Sequence, residues 1–346
     1  MVVMAWNCAA TGIGSFPHID PDKAVHLMMS SMREVPYWPQ LPALGFQENM
    51  YAQYCTRLPG VKVDVHRKKI TVDLNDYDPE EFYTAVVSDD VEHFAHDKNS
   101  FHGLYAMLDQ FKGRKLKAVK GQVTGPVSTG LQVLDQNGKP AIYDEAYGEI
   151  IRRNLNMQAR WQAKRLREVS DRPMMFLDEP SLTLIGTPFA SVSQRQVVEW
   201  VDEVLDGVEA IKGLHCCGNT DWPLVLSTSI DMLSFDAYNY AHTVALFPNE
   251  VTAFLERGGS IAWGLIPNME DQIAKESVGS LLQRFESYID MLARKGINVD
   301  LLLERSLITP QCGLGGLDEG KAERVLQLLN GTVEAVRQRY GLGDMV

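Results

Sequence analysis

Eight short apolar runs, each followed by a cluster of Gly, Pro, Asp or Asn and then by an amphipathic stretch, constrain this chain more than any other feature. The runs are Thr11–Phe16, Tyr37–Leu41, Lys117–Val123, Met174–Leu177, Ala210–Cys216, Asp231–Phe235, Ile261–Ile266 and Ser306–Thr309. Several lack period-two alternation, the pattern of strands buried on both faces. Helices are expected between them: Lys23–Glu34 after Asp20-Pro21-Asp22, Tyr143–Val169, Val197–Val208, Asn249–Arg257 after Pro248, Lys275–Lys295, and Asp318–Tyr340 with Gly341 at its end. Strand then helix, repeated, predicts a parallel α/β fold. Eight strands predict a (β/α)8 TIM-type barrel, with a doubly wound open sheet as second choice. Residues 43–116 are too long for one crossover, so an inserted excursion is expected after the second strand. Within it Lys62–His66 and Lys69–Asp73 alternate like a hairpin, and helices are expected around Pro79–Val87 and Phe101–Lys112. The chain, 1–346, is expected to be a single domain.

Composition narrows the function classes. The formal net charge is −12 and hydrophobic residues make up 45% of the chain, which excludes a disordered or collagen-like polymer. An acidic chain is a poor nucleic-acid ligand, because phosphate contacts need clustered Lys and Arg. The densest basic stretches, Arg67–Lys69 and Lys112–Lys120, read as solvated surface. No apolar run approaches the roughly 20 residues of a membrane helix. The start has neither a basic n-region nor a long apolar stretch, so a cytoplasmic protein is expected. Five cysteines, at 8, 55, 216, 217 and 312, are an odd count. In a reducing compartment that favours metal binding or free thiols over a disulfide framework.

In a barrel of this type, chemistry collects where strands end and loops begin. The predicted strand ends carry Gly14-Ser15-Phe16-Pro17-His18, Gly121–Pro126, Asp178-Glu179-Pro180, His215–Asn219, Asp236 and Gln311-Cys312-Gly313. His215-x-Cys217 puts an imidazole and a sulfur on one side of a strand, and Cys312 ends the last strand. One His and two Cys make a soft ligand set suited to Zn²⁺, and three protein ligands with a fourth place open mark a catalytic rather than a structural zinc. The competing reading is a chance His-x-Cys pair with cysteines packed as small apolar residues. Cys216 points the other way and reads as core, and Cys8 and Cys55 as structural. Gly12-x-Gly14 lacks the third Gly of a dinucleotide fingerprint and suits either a carboxylate cradle or a tight turn. Asp178-Glu179 suits an amine ligand or a solvated helix cap, the local pattern favouring the cap. His93, His96 and His102 read as an exposed face; His18 and His242 have no evident partner.

Five stretches carry a resemblance. Ile13-Gly14-Ser15-Phe16-Pro17, Thr124-Gly125-Pro126, Leu177-Asp178-Glu179-Pro180, His215-Cys216-Cys217 and Pro310-Gln311-Cys312-Gly313-Leu314 occur, in that order, in a pattern that resembles the catalytic domain of cobalamin-independent methionine synthase. That family lies within the uroporphyrinogen decarboxylase/methionine synthase superfamily. The resemblance implies a (β/α)8 barrel, zinc held by His215, Cys217 and Cys312, and homocysteine as acceptor. It implies that Ser15 and the adjacent backbone hold the acceptor's carboxylate, and that Asp178 binds its ammonium with Glu48 as second carboxylate. The family's fourth ligand is a Glu; the matching position here is Asp236, one carbon shorter.

Two departures bear on the methyl donor. The full-length synthase has a further N-terminal barrel that helps bind polyglutamyl folate, whereas this chain begins at the catalytic barrel. The family also has a histidine after its seventh strand that protonates the folate leaving group, and Trp263–Asp271 contains none. A folate N5 needs a proton before it leaves; a Co(I) corrinoid does not. Both departures point to a methylcorrinoid, as in short "core" methionine synthases and related coenzyme M methyltransferases. The corrinoid is expected as free methylcobalamin or on a corrinoid protein, not tightly bound. The competing functions are methylation of another thiol such as coenzyme M, a uroporphyrinogen decarboxylase-like lyase, and a non-catalytic corrinoid- or zinc-handling protein.

Overall fold

A computed structural model describes residues 5–345; residues 1–4 and 346 of the expected 1–346 unit lie outside the described residues. Its strands, in chain order, are β1 (Ala9–Ala10), β2 (Lys62–Asp64), β3 (Lys69–Thr71), β4 (Val119–Thr124), β5 (Val133–Leu134), β6 (Pro173–Asp178), β7 (Ile211–Cys216), β8 (Met232–Phe235), β9 (Ser260–Ile266) and β10 (Ser306–Pro310). Seven form one parallel sheet in the order β1-β10-β9-β8-β7-β6-β4. This is a TIM-like α/β arrangement, and β4, β8, β9 and β10 are buried at every residue. Helices cover the outer face, the longest being Glu145–Arg167 and Glu319–Tyr340. Among the described residues no helix is long and apolar enough to cross a membrane.

Two of the expected strands differ. Tyr37–Leu41 makes only single parallel bridges, Tyr37 to Lys120 on one side and Gln40 to Ser15 on the other. Pro36 and Pro39 lack the N–H that a longer ladder needs there. The first strand ends at Ala10 rather than running through Thr11–Phe16. Beyond it the chain turns closely past its neighbours: a Cβ on Gly12 would stand 2.2 Å from the Tyr37 ring, and one on Gly14 2.9 Å from Gln122 Nε2.

Period-two geometry sorts the strand residues by face. On β6, Met175 and Leu177 join the large core under the helices, whereas Met174 and Phe176 join a smaller apolar cluster with Ala9, Met232, Ala262 and Leu307. Asp178 is next in the second column. On β7, Gly213 belongs to that column, since a Cβ there would strike the Phe176 ring at 2.5 Å; His215 and Cys217 follow it. Lys120, Gln122 and Thr124 alternate with Val119 and Val123 of the helix-side core. The strand interior is therefore apolar below and polar above.

The excursion contains the expected hairpin, β2 antiparallel to β3 with Val63 opposite Ile70. Unexpectedly, β3 also pairs in parallel with β5, so the small sheet reaches beyond residue 116. Its helices are Glu80–Val87 and His102–Gln110. The three histidines do not share an exposed face. His96 is 5% exposed, stacks on Phe101 with 3.9 Å between centroids and bonds Gln162. His102 pairs with Glu48.

The excursion is fastened over the polar end of the strands. Tyr54 Oη donates to Gln122 O at 2.6 Å, and Thr124 Oγ1 to Met50 O at 2.6 Å. Asn154 and Gln158, from the long helix, both donate to Tyr54 O. These bonds fix the short helical turns Phe46–Glu48 and Ala52–Cys55.

Candidate metal centre

Strand register sets the site. Thr124 pairs with Asp178, Asp178 with His215, and His215 with Ser234, so four side chains lie in one row across four neighbouring strands. Cys217 is one residue past β7. Cys312 lies just beyond β10, after a register shift between Thr309 and Pro310 against β9.

The ligand atoms of His215, Cys217 and Cys312 lie within 4.8 Å of one another, and this is the one such group of three or more among the described residues. His215 Nδ1 is 3.0 Å from Ser234 Oγ, while Nε2 is buried with no hydrogen-bond partner. A buried ring nitrogen without a partner, in a residue grouped with two sulfurs and with its opposite nitrogen in contact with a hydroxyl, is the arrangement of an imidazole ligand oriented by its second contact. The two sulfurs are unequal. A hydrogen bond from Cys312, with help from His215, holds the Cys217 thiol well below its ordinary range, and the same bond together with burial pushes Cys312 up. The donor set fits Zn²⁺: one imidazole nitrogen, two sulfurs and a fourth position left to a ligand.

Asp236 lies outside that group. Its Oδ1 caps the helix Ala237–Val244 by accepting from Asn239 N at 3.0 Å. Its Oδ2 accepts from Asn239 Nδ2 at 2.7 Å and Gln311 Nε2 at 3.1 Å. A Glu, one carbon longer, could reach past such a cap; this Asp is held by it.

The three residues expected to bind an acceptor, Asp178, Ser15 and Glu48, are held in different ways. Asp178 is half-buried, and its Oδ1 is buried without a partner. Burial raises its pKa, opposed by the charges of Lys120 and His215. Ser15 Oγ accepts from Gly315 N at 3.1 Å and Ser15 O from Leu314 N at 2.8 Å, which ties the Gly14-Ser15 turn to the loop that carries Cys312. Glu48 is fully buried: Oε1 accepts from His102 N at 3.0 Å and contacts His102 Nδ1 at 2.6 Å, and Oε2 accepts from Gln53 Nε2 at 2.9 Å. Gln53 in turn accepts from Gln40, whose backbone bridges Ser15.

Asp178 and Glu179, adjacent in sequence, have separate roles. Glu179 is fully buried and accepts from Val127 N at 2.8 Å, Ser128 N at 2.9 Å and Ser128 Oγ at 2.6 Å. It takes up the first amides of the helix Pro126–Gln132 from the end of the neighbouring strand, whereas the solvated cap expected from the local pattern is not made: the Glu179 side chain bonds nothing in its own following turn, Pro180–Leu184. Burial pushes its pKa up to about 7 against those hydrogen bonds.

Sequence reasoning passed over three residues. His102 read as surface, and only the fold shows it against Glu48. Tyr51 is half-buried; burial first, then the charges of Glu179, Cys217 and Asp178, pushes its phenol up to about 12. Lys120 sat in what read as a solvated basic stretch, yet it is 1% exposed. Strand periodicity through Lys120, Gln122 and Thr124 was the available signal.

No protein-family model matches the sequence, and no curated protein matches it. Among solved structures, a B12-independent methionine synthase from Shewanella sp. W3-18-1, determined in complex with selenomethionine, superposes with a TM-score of 0.61 at 13% identity, covering 96% of this chain and 98% of that one. A Listeria monocytogenes structural-genomics target described as a vitamin-B12 independent methionine synthase gives a TM-score of 0.57 at 12% identity, covering 96% and 98%. At these identities the likeness is one of fold, and over nearly its whole length this chain shares the fold of those two proteins.

Proposed function

We propose that the chain is a zinc-dependent methyltransferase that makes methionine from homocysteine, with a methylcorrinoid rather than a folate as donor. The observation that carries the reading is the convergence of His215, Cys217 and Cys312, with His215 Nε2 buried and free. These three would hold the ion. Zinc, when bound, stabilises an incoming thiol as its thiolate at neutral pH, where a free thiol with a pKa near 8.5 is mostly protonated. The protein's own groups do the rest. Ser234 keeps the imidazole's orientation. Asp178 offers a carboxylate with an unpartnered oxygen to the acceptor's ammonium, Glu48 adds a second negative charge, and the Gly14-Ser15 turn receives the carboxylate. Fixing both ends of the amino acid aims its sulfur at the methyl carbon, and such positioning is worth several kcal/mol. We read the barrel as a single domain closed by Tyr37–Leu41, with 43–116 an excursion within it.

The donor reading rests on Trp263–Asp271, where no histidine stands to protonate a leaving folate. In that loop Asn268 N donates to Gln311 Oε1 at 2.7 Å and Asn268 Nδ2 to Gly313 O at 3.0 Å, so its polar side chain is already held. The test is an anaerobic assay of the zinc-loaded protein with homocysteine, offering methylcobalamin in one arm and methyl-tetrahydrofolate in the other. Methionine is expected from the corrinoid arm. Methionine from the folate arm alone overturns the donor assignment, and purified protein without stoichiometric zinc overturns the metal.

A further inference from the structure

A lysine lies inside the barrel beneath the proposed acceptor site. Lys120 Nζ donates to Ile13 O at 2.5 Å and to Gln122 Oε1 at 3.4 Å, and lies 4.8 Å from the Phe176 ring centroid. Both acceptors are neutral. A buried ammonium costs several kcal/mol unless something compensates it, and the anion whose charge acts on this one is Asp178. Burial pulls its pKa down only to about 8, so the side chain is charged at neutral pH.

The contacts place that charge at one end of the site. Ile13 opens the Ile13-Gly14-Ser15 turn. Gln122, the second contact, packs against Gly14 so closely that a Cβ there would stand 2.9 Å from its Nε2. The backbone of Lys120 donates to Pro36 O at 2.8 Å and bridges Tyr37, next to the segment that pairs with Ser15. Asp178 therefore feels both the ammonium bonded to the turn and the charge of Cys217.

We infer that Lys120 is the positioning residue for the acceptor's carboxylate: its ammonium holds the Ile13 carbonyl, aims the Gly14-Ser15 backbone, and makes that end of the site positive opposite Asp178. The acceptor this arrangement selects is a zwitterionic amino-acid thiol, in preference to a thiol that carries an amine alone. The inference rests on the homocysteine reading and extends it.

Calorimetric titration of the zinc-loaded full chain with L-homocysteine and with 3-aminopropane-1-thiol, which lacks the carboxylate, tests it without any methyl donor. Lys120→Met is expected to weaken homocysteine binding by about tenfold to a hundredfold, the worth of one charged hydrogen bond, and to leave the amine-thiol within about threefold. Lys120→Gln, which keeps a donor but not the charge, is expected to fall between and serves in its place if the Met variant does not fold. Equal loss for both thiols, or loss for neither, overturns the inference while the function stands. Failure of the unsubstituted protein to bind homocysteine overturns the homocysteine reading and this inference with it.

Discussion

Asp178→Asn keeps the shape of the side chain and removes its charge. In the free protein Oδ1 is buried and has no partner, so the substitution breaks no hydrogen bond of the fold there. Under the proposed function it removes a charged contact to the acceptor's ammonium, worth about 1.5–3 kcal/mol, or roughly a tenfold to 150-fold loss in kcat/KM. It also leaves Lys120 without its compensating anion, which adds to the loss for a zwitterion. Glu48 is the comparison. Both of its oxygens are already engaged by Gln53 and His102, so Glu48→Gln, which removes the second negative charge, should lower the homocysteine rate less than Asp178→Asn does. The assay follows demethylation of methylcobalamin with homocysteine and, separately, with 4-mercaptobutyrate, the same thiol without its amine. Asp178→Asn should cut the homocysteine rate by the stated factor and leave the amine-free thiol within about threefold, the scatter expected where no charged contact is lost. Equal losses on both would refute the assignment of Asp178 to the ammonium.

Asp236→Ala should cost about 1 kcal/mol through loss of a helix cap and leave one zinc per chain in metal analysis, whereas Cys312→Ser should lower the zinc content. Glu179→Ala leaves Val127 N and Ser128 N without their acceptor and should destabilise by about 2–5 kcal/mol in denaturant melts, with zinc affinity unchanged. His96 is held down to about 3 by burial, then by the charge of Arg57, against an ordinary 6.5. The folded protein then binds fewer protons than the unfolded chain between those values. Its contribution is intact above pH 6.5 and falls by about 1.4 kcal/mol per unit as pH drops toward 3, a slope that His96→Phe should flatten.

The strands were legible because burial on both faces leaves a bare apolar run between turn residues. β4, β6, β7, β8, β9 and β10 each overlap the run predicted for them. The two exceptions are instructive: Thr11–Phe16 lies past its strand, which ends at Ala10, and Tyr37–Leu41 is as apolar as its neighbours, but Pro36 and Pro39 withhold the donors a ladder needs. The hairpin showed in its alternation, whereas β5 did not, since two residues pairing across more than sixty positions leave no local pattern.

At the site, a residue was readable when its chemistry had few other uses. An imidazole and a sulfur two apart on a strand end, matched by a second sulfur on another, point to a metal from type and spacing. The charges around them do not. Glu179 and Asp178 are adjacent carboxylates, and only the pleat sends one to cap a buried helix and the other to the row shared with His215. His102 sits 54 residues from Glu48, and Lys120 is 107 from Ile13. Both look like surface residues until the excursion folds over the strands and the first turn passes above β4. The ligand set is thus written in local spacing. The electrostatics that would choose its substrate are written in register, so acceptor specificity should respond to substitutions at Lys120 and His102, neither of which a motif marks.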